Sequence, residues 1–319
     1  MNAYVAAGMA SDHECTTLEE AREKLRAGMH IMVREGTAAK NLAALLPLVN
    51  PRTCRRMMWC TDDRHAHDLL TEGHIDFIVR SAIGRGLDPV VAVQMATLNP
   101  AEFFGLRHLG AVAPGRRADL LVIDDLHDLR VGRVYSRGRL VVVDGRAVDD
   151  IETPRPIGAP LAMRVPPGAL DFSIAATGRR VRVIEIVPGQ IITRSIVAEA
   201  RIEDGQTVSD PGRDLLKIAV LDRHSGTGRI AAAFVKGLGL KQGAIASSVA
   251  HDAHNIIVAG VGDHDMSAAV ERVIKMAGGL AVAADGRLLA ELALPIAGLM
   301  SEAPLAEVAT HLDRLTAAA

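Results

Sequence analysis

Hydrophobic and polar positions alternate in blocks along the first third of the chain. Short apolar runs of strand length are separated by longer stretches whose apolar residues recur at helical spacing, the signature of parallel β/α units. Thr17-Leu18-Glu19-Glu20 reads as a capping box that opens a helix over Glu19–Ala27. Met29–Val33 reads as a buried strand ending at Arg34-Glu35-Gly36, with a helix over Ala38–Leu46 behind it. A second strand, Arg56–Cys60, ends at Thr61-Asp62-Asp63. Helices follow over His67–Glu72, Ile75–Arg85 and Val90–Leu98; Asn99-Pro100 marks a break, and a last helix turns off at Gly105.

Beyond Leu106 the pattern shortens to strands punctuated by turn residues: Leu120–Ile123, Val131–Ser136 and Leu140–Val143, the last running into Asp144-Gly145. A Pro-rich bridge spans residues 154–167. The third region mixes strands (Val181–Val187, Leu216–Leu221, Ala281–Ala284) with helices (Ala268–Ala277, Leu288–Ala293, Leu305–Leu315). The fold class is therefore α/β. Residues 1–106 form β/α units, residues 107–153 a small β module, 154–167 a linker and 168–319 a further α/β domain. No internal repeat is evident.

At 319 residues the chain exceeds one ordinary core, which fits that division. Hydrophobic residues make up 49% and aromatics only 3%, so the cores must be built from Ala, Val, Leu, Ile and Met. Stacking platforms for nucleic acid are not expected. With a net charge of −2 and no dense basic cluster, neither nucleic acid nor a membrane surface is implied as a partner. Cys15, Cys54 and Cys60 contain no CxxC pair, which points away from disulfides and zinc knuckles and toward a reducing cytoplasm. No apolar run reaches the roughly 20 residues of a membrane span.

The chemistry-bearing residues lie at strand ends. His13 follows Ser11-Asp12 and precedes a capped helix, so it sits in a βα loop, and parallel β/α barrels gather their active sites from those loops. Asp62 and Asp63 end a strand in the same way. A histidine and a carboxylate from neighbouring strand ends suit a divalent ion. Spacing alone leaves the alternative that His13 is an exposed or capping residue and that Asp62 anchors a turn; Asp63 fits that second role better. His251, Asp252 and His254 have a spacing that places both histidines on one face of a helical turn, with a structural role as the alternative. Asp222-Arg223-His224 with Gly226 and Gly228 lacks the Gly-Lys-Ser/Thr element of a phosphate loop and reads as a turn. Cys15 reads as a small buried filler.

Three segments, Ser11-Asp12-His13-Glu14-Cys15-Thr16-Thr17, Met32-Val33-Arg34-Glu35-Gly36 and Cys60-Thr61-Asp62-Asp63-Arg64-His65, stand in an order that resembles adenine deaminases of the metal-dependent amidohydrolase superfamily. Asn99-Pro100-Ala101 through Gly110, then Pro114 to Leu120, is similar to the barrel exit of amidohydrolases generally. More selective are Phe234-Val235-Lys236-Gly237, Ala244 through Asp252 and His254-Asn255, which resemble the adenine deaminase C-terminal domain.

The resemblance implies that residues 1–106 are the C-terminal strands and helices of a β/α (TIM) barrel. It implies that His13 is the metal-binding histidine of the sixth strand and Asp62 the aspartate of the eighth, both ligand and proton shuttle. The family's His-x-His pair, glutamate and further histidine from earlier strands have no counterpart; His65-Ala66-His67 has the spacing but follows Asp62. Met1 falls where a strand-to-helix transition should be under way, so the chain reads as the C-terminal portion of a longer enzyme and is expected to be inactive alone. The implied reaction is hydrolytic deamination of adenine to hypoxanthine and ammonia, a purine-salvage step, with a divalent cation (manganese or iron) as cofactor. Arg34 and Glu35 either hydrogen-bond the purine or brace a loop, and His251 and His254 are candidate substrate contacts if the C-terminal domain docks at the barrel mouth. Alternatives are an amidohydrolase acting on another cyclic amidine or amide, and an inactive fragment. Assembly into a homo-oligomer is left open.

Overall fold

A computed structural model of the chain describes residues 1–148, 163–168 and 170–319. The chain divides into two compact units, Met1–Pro154 and Arg155–Ala319.

The first unit opens with a short helix α1 (Asn2–Ala6), then β1 (Ser11–Asp12), α2 (Leu18–Arg26), β2 (His30–Arg34), α3 (Leu42–Leu45) and β3 (Met57–Cys60). Helices α4 (Ala66–Thr71), α5 (Ile75–Gly84), α6 (Pro89–Ala96) and α7 (Leu98–Phe103) follow. The three strands form a parallel sheet in the order β1-β2-β3. Asp12 lies beside Ile31 and Arg34 beside Cys60, so the strands' C-terminal ends emerge on one side. Ile31, Val33, Met57 and Trp59 are buried with Leu42, Leu45, Ile78, Ala82 and Met95 from the covering helices. Strands so covered read as continuous apolar runs rather than alternating ones. α2 begins as the sequence predicts: the Thr17 hydroxyl accepts from the Glu20 N–H at 3.3 Å, but the Glu20 carboxylate turns to the Thr16 N–H at 3.2 Å rather than to that of Thr17. The helix expected over Ala38–Leu46 is shorter, because residues 36–41 fold back as a loop.

The strands β4 (Leu120–Ile123), β5 (Val131–Ser136), β6 (Arg139–Val143) and β7 (Arg146–Ala147) make an antiparallel meander. Its tight turns Arg137-Gly138 and Asp144-Gly145 have both residues at positive φ (51° and 80°, 48° and 76°), the type I′ geometry that matches strand twist.

The second unit is built on an eight-stranded sheet. Its strands are β8 (Arg180–Ile186), β9 (Thr193–Glu199), β12 (Leu216–Leu221), β13 (Ile230–Lys236), β14 (Ala244–Ser247), β15 (Ile256–Gly260), β16 (Gly279–Ala284) and β17 (Arg287–Ala293), while β10 (Arg201–Glu203) and β11 (Gln206–Val208) form a separate hairpin. The order is β17-β16-β14-β15-β12-β13-β8-β9, antiparallel except for β13 beside β8. α8 (Asp263–Lys275) lays Met266, Ala269, Val270 and Val273 on Ala219, Ala244, Ala246, Val258, Ala281 and Ala283. Alanines on the sheet let the helix approach closely, which is how a chain poor in aromatics fills this core. α9 (Leu305–Ala318) packs through Leu312 and Leu315 on a smaller cluster with Val282, Leu292 and Leu294.

One predicted helix is a strand. Leu288–Ala293 has helix-forming residues, yet it pairs along β16 from Gly279↔Ala293 to Ala284↔Arg287. The turn Asp285-Gly286 (φ 51° and 70°) starts the hairpin, and sheet pairing overrides local propensity. Of the bridge expected over residues 154–167, residues 154–162 lie outside the described residues. Met163 and Val165 pack on the second unit's core, and the Arg164 N–H donates to the Arg223 carbonyl at 2.8 Å. Among the described residues no helix is long and apolar enough to cross a membrane.

Two tests follow from this packing. The buried Asn99 amide donates to the carbonyls of Cys54 and Met57, both at 2.7 Å, and so ties the entry to β3 to α7. Asn99→Ala leaves both acceptors unsatisfied and is expected to cost about 2–3 kcal/mol, seen as a lower midpoint in thermal unfolding; an unchanged midpoint would show that the pair is already solvated. In the second unit the Arg272 hydrogen bond holds the Glu291 carboxyl below its usual value of 4.5, against a smaller upward push from burial. A depressed carboxylate contributes stability above its unfolded pKa and loses it as pH falls through the folded value. Glu291→Gln is therefore expected to melt earlier than the parent at pH 7, with the difference closing below about pH 4; a gap independent of pH would exclude the ion pair as its source.

Candidate metal centre

Three strand ends deliver the site. At the end of β1, the Asp12 Oδ1 accepts the Glu14 N–H at 2.6 Å, turning the chain so that His13 and Glu14 face the neighbouring strands. At the end of β2 stands Arg34, whose side chain is 3% exposed. After β3 the chain turns at Asp62, which takes a left-handed φ of 45°, a conformation that aspartate tolerates better than most residues. Gly36 allows that turn to lie where it does: a Cβ there would stand 2.6 Å from the Thr61 carbonyl oxygen and 3.2 Å from that of Asp62.

His13 Nε2 lies 3.2 Å from Glu14 Oε1 and 3.8 Å from Asp62 Oδ2. The donor atoms of His13, Glu14 and Asp62 all fall within 4.8 Å of one another, the group of this kind found among the described residues. Metal–ligand bonds of about 2.1 Å in a tetrahedron set donors roughly 3.4 Å apart, so the separations suit a divalent ion, as does a set of one imidazole and two carboxylates. The residues fit a metal.

Arg34 shares the carboxylates. Its Nη1 donates to Asp62 Oδ2 at 2.6 Å and to Glu14 Oε1 at 2.9 Å. Its Nε is buried and has no hydrogen-bond partner among the described residues. Burial would raise the Asp62 carboxyl, but the Arg34 hydrogen bond and charge outweigh it and hold Asp62 below the ordinary carboxylate value. Burial likewise works against the Arg34 charge, and the bonds to Asp62 and Glu14 more than restore it.

Residues 1–146 match the amidohydrolase family, and residues 190–319 match the adenine deaminase C-terminal domain. The chain is 53% identical to an adenine deaminase of Desulfatibacillum aliphaticivorans over 99% of its own length and 55% of that protein's. It is 48% identical to one of Methanothrix thermoacetophila over its whole length and 56% of the relative, and 45% identical to one of Kosmotoga olearia over 99% and 55%. The chain is thus similar to adenine deaminases along nearly all of its own length. It spans about half the length of these curated relatives. Among solved structures it is similar to a β-aspartyl dipeptidase from Fervidobacterium islandicum AW-1 (TM-score 0.35, 18% identity, 43% of this chain and 39% of that one). A second is an N-acetyl-D-glucosamine-6-phosphate deacetylase from Mycobacterium smegmatis (TM-score 0.33, 24% identity, 44% and 50%). The parallel β/α sheet of the first unit lies within the part that matches the amidohydrolase family, a family that in general depends on a divalent metal.

The structure brings His13 and Asp62 together and adds Glu14, which spacing along the sequence does not single out. Its place two residues beyond a strand end was readable, but its partner, the buried Arg34 on the next strand, is set beside it only by strand pairing. Glu35 points elsewhere, its Oε2 accepting the Leu42 N–H at 2.9 Å, so it braces the loop 36–41. His251 and His254 lie in the second unit, in a turn between β14 and β15 rather than on a helix. Their rings meet edge to face at 4.7 Å, and His254 takes a φ of 48°, which ends any helical run. Asp222 to Gly228 is a hairpin turn as read, with the Asp222 carboxylate accepting from the hydroxyls of Ser225 and Thr227. His65 and His67 stand at the start of α4, outside the metal-capable group.

Arg34→Met removes the charge that Glu14 and Asp62 share. Because both carboxylates are partly solvated, the expected cost is about 1–3 kcal/mol rather than the larger penalty of a wholly buried pair. Chemical denaturation reads it, and an unaltered midpoint would show that the carboxylates do not need the guanidinium.

Proposed function

We propose that this chain forms part of an enzyme that hydrolyses adenine to hypoxanthine and ammonia, with His13, Glu14 and Asp62 as ligands of a divalent metal, manganese or iron. The observation that carries the reading is the convergence of these three donors at the C-terminal ends of parallel strands, where β/α barrels assemble their active sites. The identity of about half its positions to adenine deaminases supports adenine as the substrate. A bound divalent ion would supply a Lewis acid and a water acidic enough to ionise near neutral pH.

The chain's own residues supply the proton traffic. Asp62, held ionised beside Arg34, accepts the proton that the attacking water loses as its oxygen bonds to C6. The same carboxylate returns that proton to the amino nitrogen as the C6–N bond breaks, so adenine and water become hypoxanthine and ammonia. Arg34 steadies the two carboxylates, with its Nη atoms committed to Glu14 and Asp62, and is not a purine contact. Glu35 braces its loop. His251 and His254 are proposed to contact substrate, supported by their position within the segment that matches the adenine deaminase C-terminal domain.

The test measures ammonia release from adenine with added manganese or iron, for this chain alone and co-expressed with the remaining half of the Desulfatibacillum relative. Three donors on a three-stranded sheet whose outer strands pair on one side only are expected to give no turnover alone and turnover once the other half is supplied. In the active pairing, His13→Ala and Asp62→Asn are each expected to lower both turnover and bound metal by about a hundredfold. The double variant His251→Ala, His254→Ala is expected to lower turnover or substrate affinity with metal retained. Normal turnover in the His13 or Asp62 variant overturns the site, and turnover of another cyclic amidine in preference to adenine overturns the substrate.

A further inference from the structure

His13 and Glu14 stand on a short arch between β1 and α2, and both feet of the arch are pinned. At the first foot, Asp12 Oδ1 accepts the Glu14 N–H at 2.6 Å and the Cys15 thiol at 3.7 Å. At the second, the Glu20 carboxylate accepts the Thr16 N–H at 3.2 Å while the Glu20 N–H is capped by Thr17. One side chain joins the two feet. Lys24, near the end of α2, donates from Nζ to Asp12 Oδ2 at 2.7 Å and to Glu20 Oε1 at 2.5 Å. Lys24 and Asp12 are 10% and 12% exposed at the side chain, so their bonds are shielded from water.

Such a shielded lysine with two carboxylates also stabilises a fold without any bearing on a site. What distinguishes this one is the division of labour at Asp12. One oxygen is fixed by Lys24; the other caps the amide of Glu14, the residue whose carboxylate lies 3.2 Å from His13 Nε2. We propose that Asp12 is a positioning residue, anchored by Lys24, whose hydrogen bond to the Glu14 amide aims His13 and Glu14 at Asp62. It touches neither substrate nor metal. The inference rests on His13 and Glu14 being ligands, and it extends that reading one layer outward.

Two double variants separate aiming from stability. Asp12→Asn with Lys24→Met removes the ion pair but keeps an oxygen able to cap Glu14; Asp12→Ala with Lys24→Met removes both. Each loses the same charge pair, so a merely structural role predicts equal effects. Positioning predicts that the Asn version keeps its Mn²⁺ dissociation constant, read by electron paramagnetic resonance on the full chain, within about threefold of the parent. The Ala version is expected to weaken it by at least about fivefold, the worth of one capping bond. Hydrogen exchange of the peptide spanning residues 12–17 is expected to follow the same order, with faster exchange in the Ala version alone. Equal Mn²⁺ affinity and equal exchange in the two variants overturn the inference. If the parent chain binds no Mn²⁺, the ligand reading fails, and equal or unequal exchange still decides whether Asp12 sets the arch.

Discussion

A buried guanidinium between two carboxylates organises the first unit's functional end. Glu14 and Asp62 come from different strand ends and carry like charge, and without a cation they would repel across less than 5 Å. Arg34, rising from the strand between them, donates to both. Its place in the middle of the sheet order is what makes this geometry available: β1 and β3 flank β2, so a long side chain at the end of β2 reaches left and right equally. The same pairing holds the Asp62 carboxyl below its ordinary value, and the formal charges of the two carboxylates and the guanidinium leave the cluster one net negative, enough to attract a divalent ion and less than two bare carboxylates would offer.

Much of this was legible in the sequence because it depends on local order along the chain. A parallel strand announces itself as a short apolar run, and the residues that follow it are necessarily on the active-site side of a β/α unit. His13 and Asp62 could be singled out on that ground. Glu14 could not, since its partner Arg34 lies twenty residues away and only strand pairing brings them together. The same holds for Arg34 itself, for which bracing and substrate contact read alike until its burial and its partners were known.

The second unit hid more. Its strands β13 and β14 are rich in alanine, a residue that favours helix in isolation, and each is held extended in part by a strand distant in sequence, β8 beside β13 and β16 beside β14. Leu288–Ala293 is the sharpest case: a helical composition held extended by a Gly-containing turn and by a strand partner already in place. A spacing of three at His251 and His254 suits one face of a helical turn, yet a tight turn also brings residues three apart into contact. Spacing identifies neighbours; it does not identify the backbone that makes them so.

The arch that carries His13 and Glu14 also has a chemical consequence at Cys15. Burial, and then the Asp12 charge, push this thiol up to about 12, so at neutral pH it is almost entirely protonated. Thiolate is the form that binds soft metals, exchanges with disulfides and reacts with peroxide. A cysteine sits two residues from the imidazole of a metal-capable cluster, where a scavenging thiolate would capture zinc or copper or be consumed by oxidants generated at iron. Held as a neutral thiol, Cys15 is a bystander, kept so first by its burial and then by the charge of the same aspartate that shapes the turn.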